Sequence, residues 1–263
     1  MPVILKLLIA AFFTCLSLAA YGEKLRIVTE PWAPYVYEED GAMHGLDYET
    51  TVIVFQRLGV EVQWQFLPWK RCLAMLDQGH ADGALDIFHS HDRDALLLYP
   101  SEPLSEVEFV MFYANDRPHP VQSLDDLRGL TVGTSPGYLY GLPFSDSTLF
   151  NREPAPSHEA NFGKLLLGRI DLVITDRRVG QHVIKTLGLE GKVSQAPVVV
   201  SRQQQYLAVR RGAGMDLLVQ RFAAELKRFK QEPAYTALSA KYGGFEAITA
   251  SGHTVEQQES GAP

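Results

Sequence analysis

The chain has 263 residues, with 24 Lys and Arg against 31 Asp and Glu and a formal net charge of −7. Hydrophobic residues make up 46% and charged residues 21%, a globular balance that excludes collagen-like, coiled-coil and wholly disordered chains. The negative charge argues against a nucleic-acid binder and a polybasic membrane-surface protein, and the length fits one large domain or two lobes of roughly 100–120 residues.

The N-terminal stretch reads as an export signal. Lys6 precedes an uncharged apolar run from Leu7 to Ala20, and Ala20 and Gly22 supply small residues before Glu23. That is the order of a secretory signal peptide. The run is shorter than the roughly 20 residues of a spanning helix, and no basic cluster follows it. Segment 1–22 is therefore expected to be removed, taking Cys15 with it and leaving Cys72 as a single thiol. The expected compartment is the periplasm.

Strand and helix then alternate. Leu25 to Thr29 reads as a strand and ends in a proline-broken aromatic loop from Glu30 to Tyr35. Asp47 to Leu58 reads as a helix stopped by Gly59. Val60 to Phe66 alternates apolar and polar residues, the pattern of a half-buried strand. Trp69 to Gln78 suits a short helix and Ala81 to Phe88 a strand. Glu108 to Ala114 is an apolar strand leading to a linker at Asn115–Pro118. Ser123 and Asp126 form a capping pattern. Leu130 to Thr134 is a strand, His158 to Gly168 a helix, Ile170 to Thr175 a strand and Arg177 to Leu187 a helix. Val193 to Val200 and Tyr206 to Arg210 read as two further strands. Leu218, Phe222, Leu226 and Phe229 recur at helical spacing. Residues 245–263 are polar and aperiodic, the composition of a disordered tail.

The pattern predicts an α/β fold with largely parallel sheets. A faint repeat, Gly79-x-x-Asp82 and Gly168-x-x-Asp171, follows a helix and precedes a strand in each half. In such sheets ligands gather at the carboxyl ends of strands. Trp32, Asp86, Arg93, Gly137, Tyr138 and Asp176 occupy those ends. No GxSxG, HExxH, P-loop or GxGxxG pattern occurs. His89 and His91 flank Ser90 and read as solvated loop residues. Cys72 reads as a buried, inert thiol.

Taken together, these stretches resemble the periplasmic solute-binding proteins of the polar amino acid type, receptors of ABC uptake systems. The resemblance runs from Leu25 to Gly244. It is carried by Leu25–Thr29 with Trp32–Tyr35, by His44–Glu49, by Gln78–Gly83, and by His91-Asp92-Arg93 with Tyr99–Leu104. Ser123–Gly133, Gly168–Asp176 and Tyr235–Gly243 complete it.

The resemblance implies roles for particular residues. Arg93 fills the place of the arginine that clamps the ligand carboxylate through its planar fork. Asp176 fills the place of the aspartate that takes the ligand ammonium; the alternative is that it simply caps the helix from Arg177. Trp69 and Trp32 stand where aromatic residues pack on the ligand, Trp69 being also a candidate for the core. Ser135 to Tyr138 would present backbone N–H groups at a helix N-terminus, with Gly137 and Tyr138 in contact. The chain departs from the pattern at Asp86 and Phe88, where small or hydroxyl residues are usual. Asp86 would either pair with Arg93 or hold a second cationic group of the ligand. Arg71 is a further source of positive charge.

The implied architecture is two-lobed, of the periplasmic-binding-protein type II. Residues 23–112 with 206–244 would form the first lobe and 113–205 the second, joined by a two-strand hinge. The implied function is capture of a small polar solute, an amino acid or related amine or carboxylate, for delivery to an ABC transporter permease. The receptor would be a monomer, touching the membrane only through the transporter, with no cofactor, no metal and no nucleic acid. Two other readings use the same fold: a dehydratase-like periplasmic enzyme, with Glu153 or His158 as acid or base, and a ligand sensor for a membrane kinase.

Overall fold

The computed structural model describes residues 24–212 and 214–242. The expected export signal with Cys15 and the tail at 245–263 lie outside the described residues.

Each half of the molecule is built on three parallel strands. In the first half β1 (Leu25–Thr29) lies between β4 (Val62–Phe66) and β5 (Gly83–Phe88). Two helices, α1 (Leu46–Leu58) and α2 (Trp69–Asp77), connect them. A hairpin of β2 (Tyr37–Glu39) and β3 (Ala42–His44), absent from the sequence expectation, turns at Asp40-Gly41. In the second half β8 (Thr131–Thr134) lies between β9 (Asn151–Pro154) and β10 (Leu172–Asp176). Helices α3 (Leu142–Asp146), α4 (His158–Leu166) and α5 (Arg177–Thr186) accompany them.

Two long strands join the halves. β7 (Ser105–Ala114) and β11 (Val193–Arg210) pair antiparallel along most of their length. β11 also pairs with β5 and with the short β6 (Leu97–Leu98), and β7 pairs with β10 through Phe109–Phe112. The strand order is β4-β1-β5-β11-β7-β10-β8-β9. Helices α6 (Met215–Phe229) and α7 (Pro233–Lys241) return to the first half, where Phe222 packs on Phe55 of α1. The α/β class agrees with the alternation read from the sequence; the sheet itself is mixed rather than largely parallel, parallel within each half and antiparallel wherever β7 and β11 pair.

β11 corrects one expectation. The polar run Ser201-Arg202-Gln203-Gln204-Gln205 reads as a break between two strands, yet the strand continues through it. Three of its side chains have partners on other elements that a solvated loop would lack. Ser201 Oγ donates to Tyr140 O, Arg202 Nε to Glu108 Oε1, and Gln203 Nε2 to Leu139 O. Pairing to β7 keeps the backbone satisfied while register shifts near Val199 absorb the irregularity.

Glu108 ties this ribbon to the second half. Its carboxylate is fully buried and receives Arg202 from β11 at 2.7 Å and Arg177 from α5 at 2.8 Å. Both guanidinium groups reach solvent in part, so the acid is the buried member of the trio. Glu108→Gln leaves two cations facing a neutral amide and is expected to lower the unfolding free energy by about 3 kcal/mol. Urea denaturation checks this; a loss under about 0.5 kcal/mol would mean the arginines resolvate freely.

Candidate ligand-binding cleft

A cleft opens at the carboxyl ends of β1 and β5, facing the turn after β8. It is lined by Thr29, Glu30, Trp32, Trp69, Leu85, Asp86, Phe88, Arg93, Gly137, Tyr138 and Leu139. Of the residues singled out from sequence, Trp32, Trp69, Asp86, Phe88, Arg93, Gly137 and Tyr138 line it together. Asp176 and Arg71 do not.

The walls are aromatic. Trp32 sits in a tight loop, its N–H donating to Val36 O, and its ring meets Phe88 edge-on at 5.9 Å and Tyr138 at 6.0 Å and 90°. Trp69 begins α2, its backbone N–H donating to Glu30 Oε1. Tyr138 belongs to the second half and donates its hydroxyl to Glu30 Oε2 of the first at 2.7 Å. Gly137 takes φ +85°, and a β-carbon there would stand 3.3 Å from Lys70 Cγ and 3.4 Å from Trp69 Cδ1. The turn thus approaches α2 more closely than a side chain allows comfortably. The space left inside is about 20 Å³, room for roughly one water molecule.

Three ionisable groups share the cleft. Arg93 leaves the short turn His91–Arg93, and its Nη1 donates to Phe88 O at 3.3 Å. Burial raises the Glu30 carboxyl above its ordinary range, against the Tyr138 and Trp69 hydrogen bonds that lower it. Asp86, at φ +58°, is 8% exposed, and burial with the nearby charge of Asp47 pushes its acid well above the usual carboxylate range. No ion pair joins Asp86 to Arg93 among the described residues. Trp32 Nε1 and both Asp86 carboxyl oxygens are buried without a hydrogen-bond partner among the described residues. Glu30 and Asp47 are functional candidates that the sequence reading passed over. Glu30 follows β1 directly, so its place at a strand's carboxyl end was a usable signal. Asp47 was legible only as a helix-start residue.

Three expectations need correction. Asp176 is fully buried as the N-cap of α5. Its Oδ1 accepts from Arg178 N, Val179 N and Tyr35 Oη, and its Oδ2 from Glu108 N. Four donors already satisfy it, so the capping alternative describes its place here. Arg71 is exposed on α2 and lines no part of the cleft. No helix starts at Ser135–Tyr138: Ser135 N donates to Tyr140 Oη, and α3 begins only at Leu142.

The remaining chemistry-bearing groups lie outside the cleft. His158 is buried beside Tyr138, and burial lowers its imidazole to about 4. Glu153 is paired with Lys164 on the surface. Cys72 is buried, and its thiol is pushed up to about 12, mainly by burial. His89 and His91 both bond the Asp94 carboxylate, at 2.8 and 3.1 Å, and the three donor atoms lie within 4.8 Å of one another. These are the described residues whose donors could converge on a metal ion.

Two measurements follow from this geometry. Asp176→Ala removes a cap and leaves the Glu108 N–H unpartnered. It is expected to cost about 2 kcal/mol of stability, read as a lower urea midpoint; an unchanged midpoint would contradict the assignment. His158 carries a folded value near 4 against 6.5 ordinarily. Its stability contribution is full above pH 6.5 and is lost as pH falls through 4. Wild type should therefore lose more stability than His158→Gln between about pH 7 and pH 4; parallel titrations would refute this.

Comparison with known proteins agrees with the architecture. Residues 25–245 match the bacterial extracellular solute-binding proteins, family 3. A probable amino-acid-binding protein, YxeM of Bacillus subtilis (strain 168), is 23% identical over 212 residues, covering 80% of this chain and 79% of that one. An ancestral arginine-binding protein bound to arginine superposes with a TM-score of 0.73 at 20% identity, covering 86% of this chain and 100% of the other. A histidine kinase sensor domain with similarity to periplasmic binding proteins gives a TM-score of 0.73 at 21% identity, covering 84% of this chain and 96% of that one. No helix among the described residues is long and apolar enough to cross a membrane. With the family match spanning most of the chain, this protein belongs to the bacterial extracellular solute-binding proteins, family 3.

Proposed function

We propose that this protein is a monomeric periplasmic receptor that encloses an amino acid between two lobes and delivers it to an ABC transporter permease. The observation that carries the reading is the composition of the cleft. Arg93 supplies a guanidinium fork for a carboxylate, while aromatic rings come from both halves. The Tyr138–Glu30 hydrogen bond joins the halves across it. The lobes are taken as residues 23–112 with 206–244 and residues 113–205. The pairing of Phe109–Phe112 with β10 supports a first crossing slightly earlier, near Glu108.

The interior of about 20 Å³ is far too small for an amino acid. Entry therefore requires the halves to part along β7 and β11, and closure on the ligand restores contacts from both sides. Glu153 is paired with Lys164 away from this cleft, while His158 borders the adjoining space with Glu30 and Tyr138. The amino-acid-binding names of the Bacillus relative and of the ancestral arginine-binding protein point to the same ligand class.

A thermal-shift screen against amino acids tests the proposal, since a ligand stabilises by mass action. A hit should reduce the radius of gyration in small-angle scattering. Arg93→Ala should weaken that hit by about 30-fold or more, because it leaves a carboxylate desolvated and unpaired. Absence of stabilisation by any amino acid would defeat the reading, and near-wild-type affinity in Arg93→Ala would defeat the clamp.

A further inference from the structure

Asp86 is an unusual acid. It lines the cleft, yet neither carboxyl oxygen meets a hydrogen-bond donor among the described residues. Its φ of +58° lies in the left-handed region, which among L residues only Asn and Asp enter readily. The side chain it faces is a second buried acid, Asp47, 1% exposed in the first turn of α1. Asp47 Oδ2 accepts from Ser105 Oγ at 2.6 Å, while its Oδ1 has no donor. Two ionised carboxylates do not coexist in such a site. One proton between them gives Asp47 Oδ1 its missing donor and leaves one Asp86 oxygen unpartnered.

The neighbours decide which acid keeps the proton. Asp47 is favoured as the carboxylate by Ser105, by the N-terminal turn of α1, and at longer range by Lys230 and Arg178. Tyr235 also faces it, with its phenol held protonated by burial. Asp86 has no such help. On its cleft side stand the Tyr138 hydroxyl, already donated to Glu30, and Arg93, which donates to Phe88 O. Burial leaves Asp47 at about 6 and Asp86 well above the carboxylate range, in the same order.

Building on the receptor reading above, we propose that Asp86 is the cleft's cation-binding acid, neutral while it donates to Asp47 and ionised when an ammonium or guanidinium group of the bound amino acid takes its place beside the pair. The proton leaves to solvent, so one positive charge enters as another departs. The rings of Trp32, Phe88 and Tyr138 supply the π-faces that favour a desolvated cation. Asp176, satisfied by its four donors, takes no part.

Calorimetry at about pH 7 in phosphate and in Tris, whose ionisation enthalpies differ, reads the proton directly. The probes are L-arginine and L-lysine, with L-citrulline and L-norleucine as their uncharged counterparts. The cationic pair should bind more tightly, release about one proton, and gain up to about tenfold in affinity per pH unit while free Asp86 holds its proton. Asp86→Asn keeps the shape and tolerates the backbone. It should abolish the proton release and weaken the cationic probes by about 30-fold or more. Equal binding of the uncharged probes, or heats that show no proton released, would overturn the proposal. If none of the four binds, the receptor reading fails for these ligands, and carboxyl-carbon NMR of labelled aspartates decides the acid separately. A neutral carboxyl near pH 7 that disappears in Asp86→Asn upholds it, and a set of aspartates all ionised at that pH overturns it.

Discussion

The antiparallel ribbon of β7 and β11 is the constraint on which the rest of the molecule depends. Each half presents three parallel strands, and parallel strands need long crossovers. The ribbon supplies an antiparallel partner to each half at once, β11 to β5 and β7 to β10. At its centre the buried carboxylate of Glu108 holds Arg202 of the ribbon and Arg177 of α5. The Glu108 N–H is spent on Asp176. Backbone and side chain of one residue thereby anchor the ribbon, the start of α5 and the end of β10. Glu108 and Asp176 are thereby consumed by structure.

That consumption explains the electrostatics of the cleft. Asp176, with four donors, carries a charge that the fold has already neutralised. Asp86, on the opposite side, has none apart from its neighbouring acid. Burial raises both above the ordinary range, but hydrogen bonds oppose the shift at Asp176 and the charge of Asp47 adds to it at Asp86. The same residue type thus serves as a cap in one place and a reserve of unsatisfied polarity in the other. Trp32 Nε1 belongs to the same reserve. The aromatic rings around these groups lower the local polarity, which strengthens any charged contact made there.

Several contacts join the two halves across the cleft. The Tyr138–Glu30 hydrogen bond, the perpendicular stacking of Tyr138 on Trp32 and the approach of Gly137 to α2 all cross the cleft. Tyr35 reaches across to Asp176 and receives Arg178.

The sequence by itself determined the alternation of strands and helices, the resemblance to the family, and the strand-end positions of Trp32, Asp86, Arg93, Gly137 and Tyr138, which line the cleft. These depend on periodicity, on caps and on local order along the chain, which short-range chemistry controls. It could not distinguish Asp176 from Asp86, since an acid at the end of a strand reads the same whether donors await it or another acid does. The donors to Asp176 come from positions as distant as Tyr35 and Glu108, and the acid opposing Asp86 is Asp47 on α1. The continuity of β11 through Ser201–Gln205 was hidden for the same reason, because its polar side chains find partners on other elements. Charge, burial and hydrogen-bond satisfaction are properties of the assembled neighbourhood, and only the tertiary structure decided which acids were spent and that Asp86 faces the cleft without a donor among the described residues.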